Sequence, residues 1–166
     1  MKRQRGTAFA FWLGFYPDRP LNRRENGRAG PKTVQIQNVQ KILIVDDSAT
    51  IRKMVRASLR PLDDAEFVEA GNGLEAIEQI ALGPVALIIL DLNMPDMHGV
   101  DVLKFVRRHP GCREVPVIVL TTRGDEASRE TALTAGATQY LTKPFVPNVL
   151  LSAARDLIPA AARRHA

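Results

Sequence analysis

The sequence predicts a doubly wound α/β domain with an all-parallel, five-stranded sheet. Three observations predict it. Short apolar runs alternate five times with segments of helical periodicity, and the loops between them are short. The runs that end at Val45 and Leu90 are also apolar without interruption. An unbroken run suits a strand buried on both faces, as in the middle of a parallel sheet.

The elements follow in order. Lys41–Val45 reads as the first strand and ends in Asp46-Asp47. Ser48 can cap the next helix, which has Ile51, Met54, Val55 and Leu59 on one side and Arg52, Lys53, Arg56 and Arg60 on the other. Pro61 ends it. Glu66–Glu69 is a short, half-polar strand suited to a sheet edge. Gly71-Asn72-Gly73 is a turn into a helix carrying Leu74, Ile77 and Ile80, which stops before Gly83-Pro84. Leu87–Leu90 is the third strand, ending at Asp91. Met94–Gly99 reads as a loop, and Val100–His109 as a helix closed by Pro110-Gly111. Pro116–Leu120 is the fourth strand, with Pro at its tolerated first position, and it ends in Thr121-Thr122. Glu126–Ala135 is a helix stopped by Gly136, and Thr138–Thr142 the fifth strand, followed by Lys143-Pro144-Phe145. Val149, Leu150, Ala153 and Leu157 mark the last helix.

Composition narrows the function classes. A chain of 166 residues with 45% apolar and 5% aromatic residues suits one domain with an ordinary core. No stretch approaches the ~20 apolar residues of a membrane span. A single cysteine, Cys112, excludes an intramolecular disulfide and a cluster of thiolate ligands, and reads as a free cytosolic thiol. The net charge of +5 is unevenly spread: residues 1–40 hold eight Lys or Arg against Asp18 and Glu25, which leaves −1 for the rest. The body therefore carries no electrostatic footprint for nucleic acid. The expected location is cytoplasmic.

The leader resists a simple reading. Lys2, Arg3 and Arg5 ahead of Ala8–Leu13 imitate a signal peptide, but Gly14 cuts the apolar run short and no small-residue cleavage site follows. Pro20–Lys32 is rich in Arg, Asn, Gly and Pro, which cannot bury enough apolar surface to order itself. Residues 1–40 are expected to be a disordered basic extension, with translation starting nearer Val34 or Val39; a tether for nucleic acid or membrane is the alternative. Residues 41–159 are expected to form the domain and 160–166 a frayed tail.

The chemistry lies in what the strand ends share. Asp46-Asp47, Asp91, Thr121 and Lys143 follow strands one, three, four and five. In an open parallel sheet these carboxyl ends meet at one edge, where ligands sit. Three packed carboxylates repel one another and call for a counter-ion. A hard cation with oxygen ligands answers that, and small octahedral Mg²⁺, which keeps several waters, suits a site with few protein ligands. Carboxylate, Mg²⁺, hydroxyl and ammonium are the parts that stabilise a transferring phosphoryl group. An Asp carboxylate can itself accept one.

Each part has a plainer reading. Asp46-Asp47 alone reads equally well as a helix-capping pair, Thr121 as a loop hydroxyl and Lys143 as a solvated side chain. The weight rests on all of them falling at successive strand ends. His98, His109 and His165 fall in a loop, a helix end and a tail, and read as solvated. Gly71-Asn72-Gly73 lacks the spacing of either nucleotide fingerprint.

The residues resemble a known family. Ile44–Ser48, Glu69–Gly73, Leu90–Gly99, Thr121-Thr122 and Lys143–Phe145 are similar to the receiver domain of bacterial response regulators, from about Lys41 to Leu157. Asp47–Arg52 and Ala135–Ala137 resemble the single-domain chemotaxis type. The resemblance implies a flavodoxin-like (βα)5 fold with strand order 2-1-3-4-5. It implies that Asp91 accepts a phosphoryl group from the phosphohistidine of a sensor histidine kinase. Mg²⁺ would be held directly by Asp47 and Asp91, through water by Asp46, and by the backbone carbonyl of Asn93. Lys143 would pair with the phosphoryl oxygens, and the peptide before Pro144 would be cis. Thr121 would swing to the phosphoryl group and let Tyr140 turn inward, remodelling the surface of the fourth helix, fifth strand and fifth helix. Asn93 would act chiefly through its backbone. Thr122 stands where many members carry Ala, and Arg123 where chemotaxis regulators often have an acid, which implies an altered lifetime of the phosphorylated state.

The resemblance implies a phosphoacceptor signalling module rather than an enzyme, able to catalyse its own phosphorylation and dephosphorylation. A haloacid-dehalogenase-type phosphatase is the alternative, but its nucleophile opens an Asp-x-Asp motif. Here Asn93 replaces the second Asp, and the acidic pair precedes Asp91. A DNA-binding regulator would need an output domain after the fifth helix, which the sequence does not contain. Output is expected through a separate protein: a flagellar motor switch, a phosphorelay in which this chain is an intermediate, or an adaptor for a kinase complex.

Overall fold

The computed structural model describes residues 39–122 and 124–158. The expected extension (apart from Val39 and Gln40), the tail and Arg123 lie outside the described residues. The described elements alternate without exception: β1 (Gln40–Val45), α1 (Ala49–Leu59), β2 (Ala65–Ala70), α2 (Gly73–Ala81), β3 (Leu87–Leu90), α3 (Gly99–Arg108), β4 (Val117–Thr121), α4 (Glu126–Thr134), β5 (Gln139–Thr142) and α5 (Pro147–Leu157). Every strand pairing is parallel, and the order is β2-β1-β3-β4-β5. The half-polar β2 takes an edge, as its composition requires.

Successive side chains of a strand point to opposite faces, so the unbroken runs feed two cores. Leu43, Val45, Ile88, Leu90 and Val117 face α2 and α3, meeting Ala76, Ile80, Val102, Leu103 and Val106. Ile42, Ile44, Leu87, Ile89, Ile118 and Leu120 face α1 and α5, meeting Val55, Leu59, Leu150 and Ala153. Each such side chain contributes about 1.5–3 kcal/mol by leaving water. Among the described residues, the central strands β1, β3 and β4 carry most of the fully buried side chains.

Register brings the functional ends level. Val45 pairs with Leu90 and Leu90 with Val119, so Asp46 and Asp91 leave the sheet side by side. The ladder runs on past the strands: Asp46 N–H donates to Ala70 O (3.1 Å), Asp91 N–H to Val45 O (2.9 Å) and Lys143 N–H to Thr121 O (2.8 Å). Side-chain caps start the helices nearby. Ser48 caps α1 and Asn72 caps α2, with Glu75 reaching back to Gly71 N–H at 2.7 Å. Gly71-Asn72-Gly73 is thus a turn and cap.

Helical periodicity placed some residues on the wrong side. Met54, Leu74 and Val149 are 49%, 60% and 50% exposed. Met54 and Val149 flank the buried residues of their helices, and Leu74 lies in the first turn of α2, where little packs over it. Arg52 is misplaced in the opposite sense: it is half-buried and engaged at the site rather than solvated.

Candidate functional site

Four strands deliver the site. Asp46 and Asp91 are 3% and 4% exposed, yet neither is left unpaired. Lys143 Nζ lies between them, donating to Asp46 Oδ2 at 2.6 Å and to Asp91 Oδ2 at 2.7 Å. The remaining oxygens are also held: Ser48 N–H donates to Asp46 Oδ1 (2.9 Å) and Asn93 N–H to Asp91 Oδ1 (3.1 Å). The peptide between Lys143 and Pro144 is cis, as expected.

Burial pushes the Asp46 carboxyl above its ordinary pKa, against the pull of Lys143 and of the Ser48 amide. At Lys143 burial works against the charge, but the hydrogen bonds to Asp46 and Asp91 outweigh it and hold the ammonium above its ordinary value. The lysine is therefore a fixed cation. It offsets repulsion that would otherwise spread the carboxylates.

Asp46, Asp47 and Asp91 each place a carboxylate oxygen within 4.8 Å of the others. Asp47 is exposed, and its carboxylate makes no hydrogen bond or ion pair among the described residues. This all-oxygen donor set fits a hard divalent cation such as Mg²⁺. The pocket over it is open, about 450 Å³, and lined by these three residues with Asn93, Thr122 and Lys143 among others.

Thr121 is the last residue of β4 and is fully buried. Its hydroxyl accepts a 2.8 Å hydrogen bond from the Asn93 carboxamide, whose other donor bond goes to Thr122 Oγ1 at 3.1 Å. The Asn93 side chain therefore has partners of its own, beyond the backbone role expected for it. Tyr140 lies beside Val119 in β5, half-buried, and does not line the pocket.

Two contributors escaped the sequence reading. Gly99 starts α3 directly beneath Asp91, where a β-carbon would meet backbone. Arg52 donates to the carbonyl of Asp46 at 2.8 Å and to Glu69 Oε2 at 3.0 Å. A signal for Arg52 was present: a cation in the first turn of a helix opposes the helix dipole and needs another reason to be there. His98 and His109 are exposed, His109 stacking on Phe105, and neither reaches the site.

Comparison with known proteins agrees with this geometry. The response regulator receiver domain family matches residues 42–155. The chain is 42% identical over 111 residues to the chemotaxis protein CheY1 of Helicobacter pylori, covering 66% of this chain and 90% of that protein. It is 38% identical over 119 residues to the CheY homolog of Campylobacter jejuni, covering 71% and 92%. Among solved structures, chemotaxis protein CheY4 of Vibrio cholerae superposes with a TM-score of 0.67 at 34% identity, covering 72% of this chain and 99% of that one.

Proposed function

The chain belongs to the response regulator receiver domain family, and from that premise we propose that it is a single-domain switch whose phosphoacceptor is Asp91. The observation that carries the proposal is the bridged carboxylate pair, Asp46–Lys143–Asp91, beside the exposed Asp47. A receiver domain implies a histidine kinase as donor. An Asp91 carboxylate oxygen attacks the phosphorus of the donor's phosphohistidine, a phosphorus–oxygen bond forms, the phosphorus–nitrogen bond breaks, and the imidazole nitrogen keeps the electron pair.

Mg²⁺, when bound, neutralises charge on the equatorial phosphoryl oxygens. Asp47, Asp91 and the Asn93 carbonyl would hold it directly, and Asp46 through water. Lys143 gives up its bond to Asp91 and pairs with a phosphoryl oxygen, which keeps its charge compensated. Thr121 turns its hydroxyl from Asn93 toward the phosphoryl group, Tyr140 moves inward, and the face of α4, β5 and α5 changes. A ligand shifts such an equilibrium only by its differential affinity for the two states. The phosphoryl group supplies this through bonds that only one state offers.

The relatives named for chemotaxis support a partner in a chemotaxis pathway, with a flagellar motor switch as the first candidate and a phosphorelay as the second. The proposal is tested by incubating the protein with Mg²⁺ and acetyl phosphate and weighing it. The expected result is a gain of one phosphate that is lost with chelator and in Asp91→Asn. A gain that survives Asp91→Asn overturns it.

A further inference from the structure

We infer that Arg52 is a positioning residue that sets how tightly the acidic pocket holds a divalent cation, by fixing the peptide that joins Asp46 to Asp47. The inference rests on the reading of Asp46, Asp47 and Asp91 as the cation site.

The Arg52 side chain is only 18% exposed, and its guanidinium is used in two directions. Its Nε donates to Glu69 Oε2 at 3.0 Å, and its Nη1 donates to Asp46 O at 2.8 Å with a longer approach, 3.5 Å, to Asp47 O. Glu69 lies on β2 directly beside Ile44 of β1. Arg52 thus braces the loop between β1 and α1 against the neighbouring strand. The Asp46 carbonyl belongs to the peptide linking the two carboxylate-bearing residues, so holding it sets the direction in which Asp47 leaves the chain. No side chain among the described residues holds the Asp47 carboxylate itself, so its direction depends on the backbone that carries it. Three like charges within 4.8 Å push this loop outward. A loop already set in the binding geometry loses less freedom when the cation arrives.

Charge and position predict opposite outcomes. As a bare cation, Arg52 would repel Mg²⁺, and removing it would tighten binding. Glu69, which also meets Arg56 at 3.7 Å, offsets part of that charge locally, and we take the positional effect to dominate. An Arg fork is needed because one ammonium cannot reproduce both bonds in this geometry.

The test is calorimetric titration of the full chain with Mg²⁺ alone. Arg52→Gln is expected to raise the Mg²⁺ dissociation constant about three- to tenfold, the scale of one lost hydrogen bond. Arg52→Lys, which keeps the charge, is expected to raise it too. In the acetyl phosphate reaction, the Mg²⁺ concentration giving half the maximal rate should rise in parallel, while the rate at saturating Mg²⁺ moves less than about twofold. Unchanged or tighter Mg²⁺ binding by Arg52→Gln overturns the inference, as does unchanged binding by Arg52→Lys, which carries the test if the Gln variant fails to fold. If the unsubstituted chain binds no Mg²⁺, the cation-site reading falls and the inference with it. If the unsubstituted chain binds and the variants bind equally, only the role of Arg52 falls.

Discussion

Gly99 occupies a position where a side chain has no room. A β-carbon there would run into the carbonyl oxygen of Asp91 and come within 2.7 Å of Leu92 Cα, and backbone cannot swing aside as a side chain can. Gly99→Ala is therefore expected to cost about 1–3 kcal/mol, seen as a lower melting temperature, and to slow phosphate uptake by displacing Asp91. Asn93 separates backbone from side-chain roles. Asn93→Ala keeps the carbonyl and should still take up phosphate from acetyl phosphate, unlike Asp91→Ala. Thr122→Ala removes a pocket-lining side chain and one acceptor of the Asn93 carboxamide. It is expected to hasten decay of the phosphorylated state by about two- to tenfold, the kinetic equivalent of a hydrogen bond, measured by loss of the phosphate mass over time. Equal decay rates would remove Thr122 from the account.

Among the elements, β3 is buried along its whole length and leads directly into Asp91. Ile89 is 2% exposed in the core facing α1 and α5. Ile89→Ala should cost about 2–5 kcal/mol in denaturant unfolding, yet keep phosphate uptake at temperatures where the variant remains folded. Asp91→Asn should do the reverse, losing uptake without comparable loss of stability, since it also relieves repulsion from Asp46 and Asp47. The separation distinguishes a support from a reacting group. β4 shows how an element boundary carries function. Thr121 is its last residue, pairing with Thr142, so the proposed swing begins from a hydroxyl anchored in the sheet. Among the described helices α4 has the fewest buried residues, Ala132 alone. That suits an element whose surface is proposed to change.

For the whole molecule, the site is a place where like charges are held together by the folding of everything else. The sheet's two cores bring the strand ends level, and Lys143 offsets part of the resulting repulsion. A cation that binds only the folded state stabilises it by mass action, about 2.7 kcal/mol at a hundredfold excess over its dissociation constant. The melting temperature is accordingly expected to rise with Mg²⁺ concentration, and Asp47→Asn to flatten that rise. A rise undiminished in Asp47→Asn would place the cation elsewhere. Among the described residues, no helix is long and apolar enough to cross a membrane.

The sequence by itself determined the fold class and which polar residues share one edge of the sheet. Unbroken apolar runs such as Leu87–Leu90 bury on both faces whatever surrounds them, and residues that follow successive parallel strands must share an edge. Asp46, Asp47, Asp91 and Lys143 were legible for that reason. Tertiary structure alone decided which atoms pair there. Arg52 reads as solvent-facing from helical periodicity, yet Glu69 on the adjacent strand and the Asp46 carbonyl turn it into the site. Asn93 binds the hydroxyl of a threonine 28 residues away. Periodicity records which face of an element is apolar, but a polar side chain goes where its partners are, and those partners come from other strands.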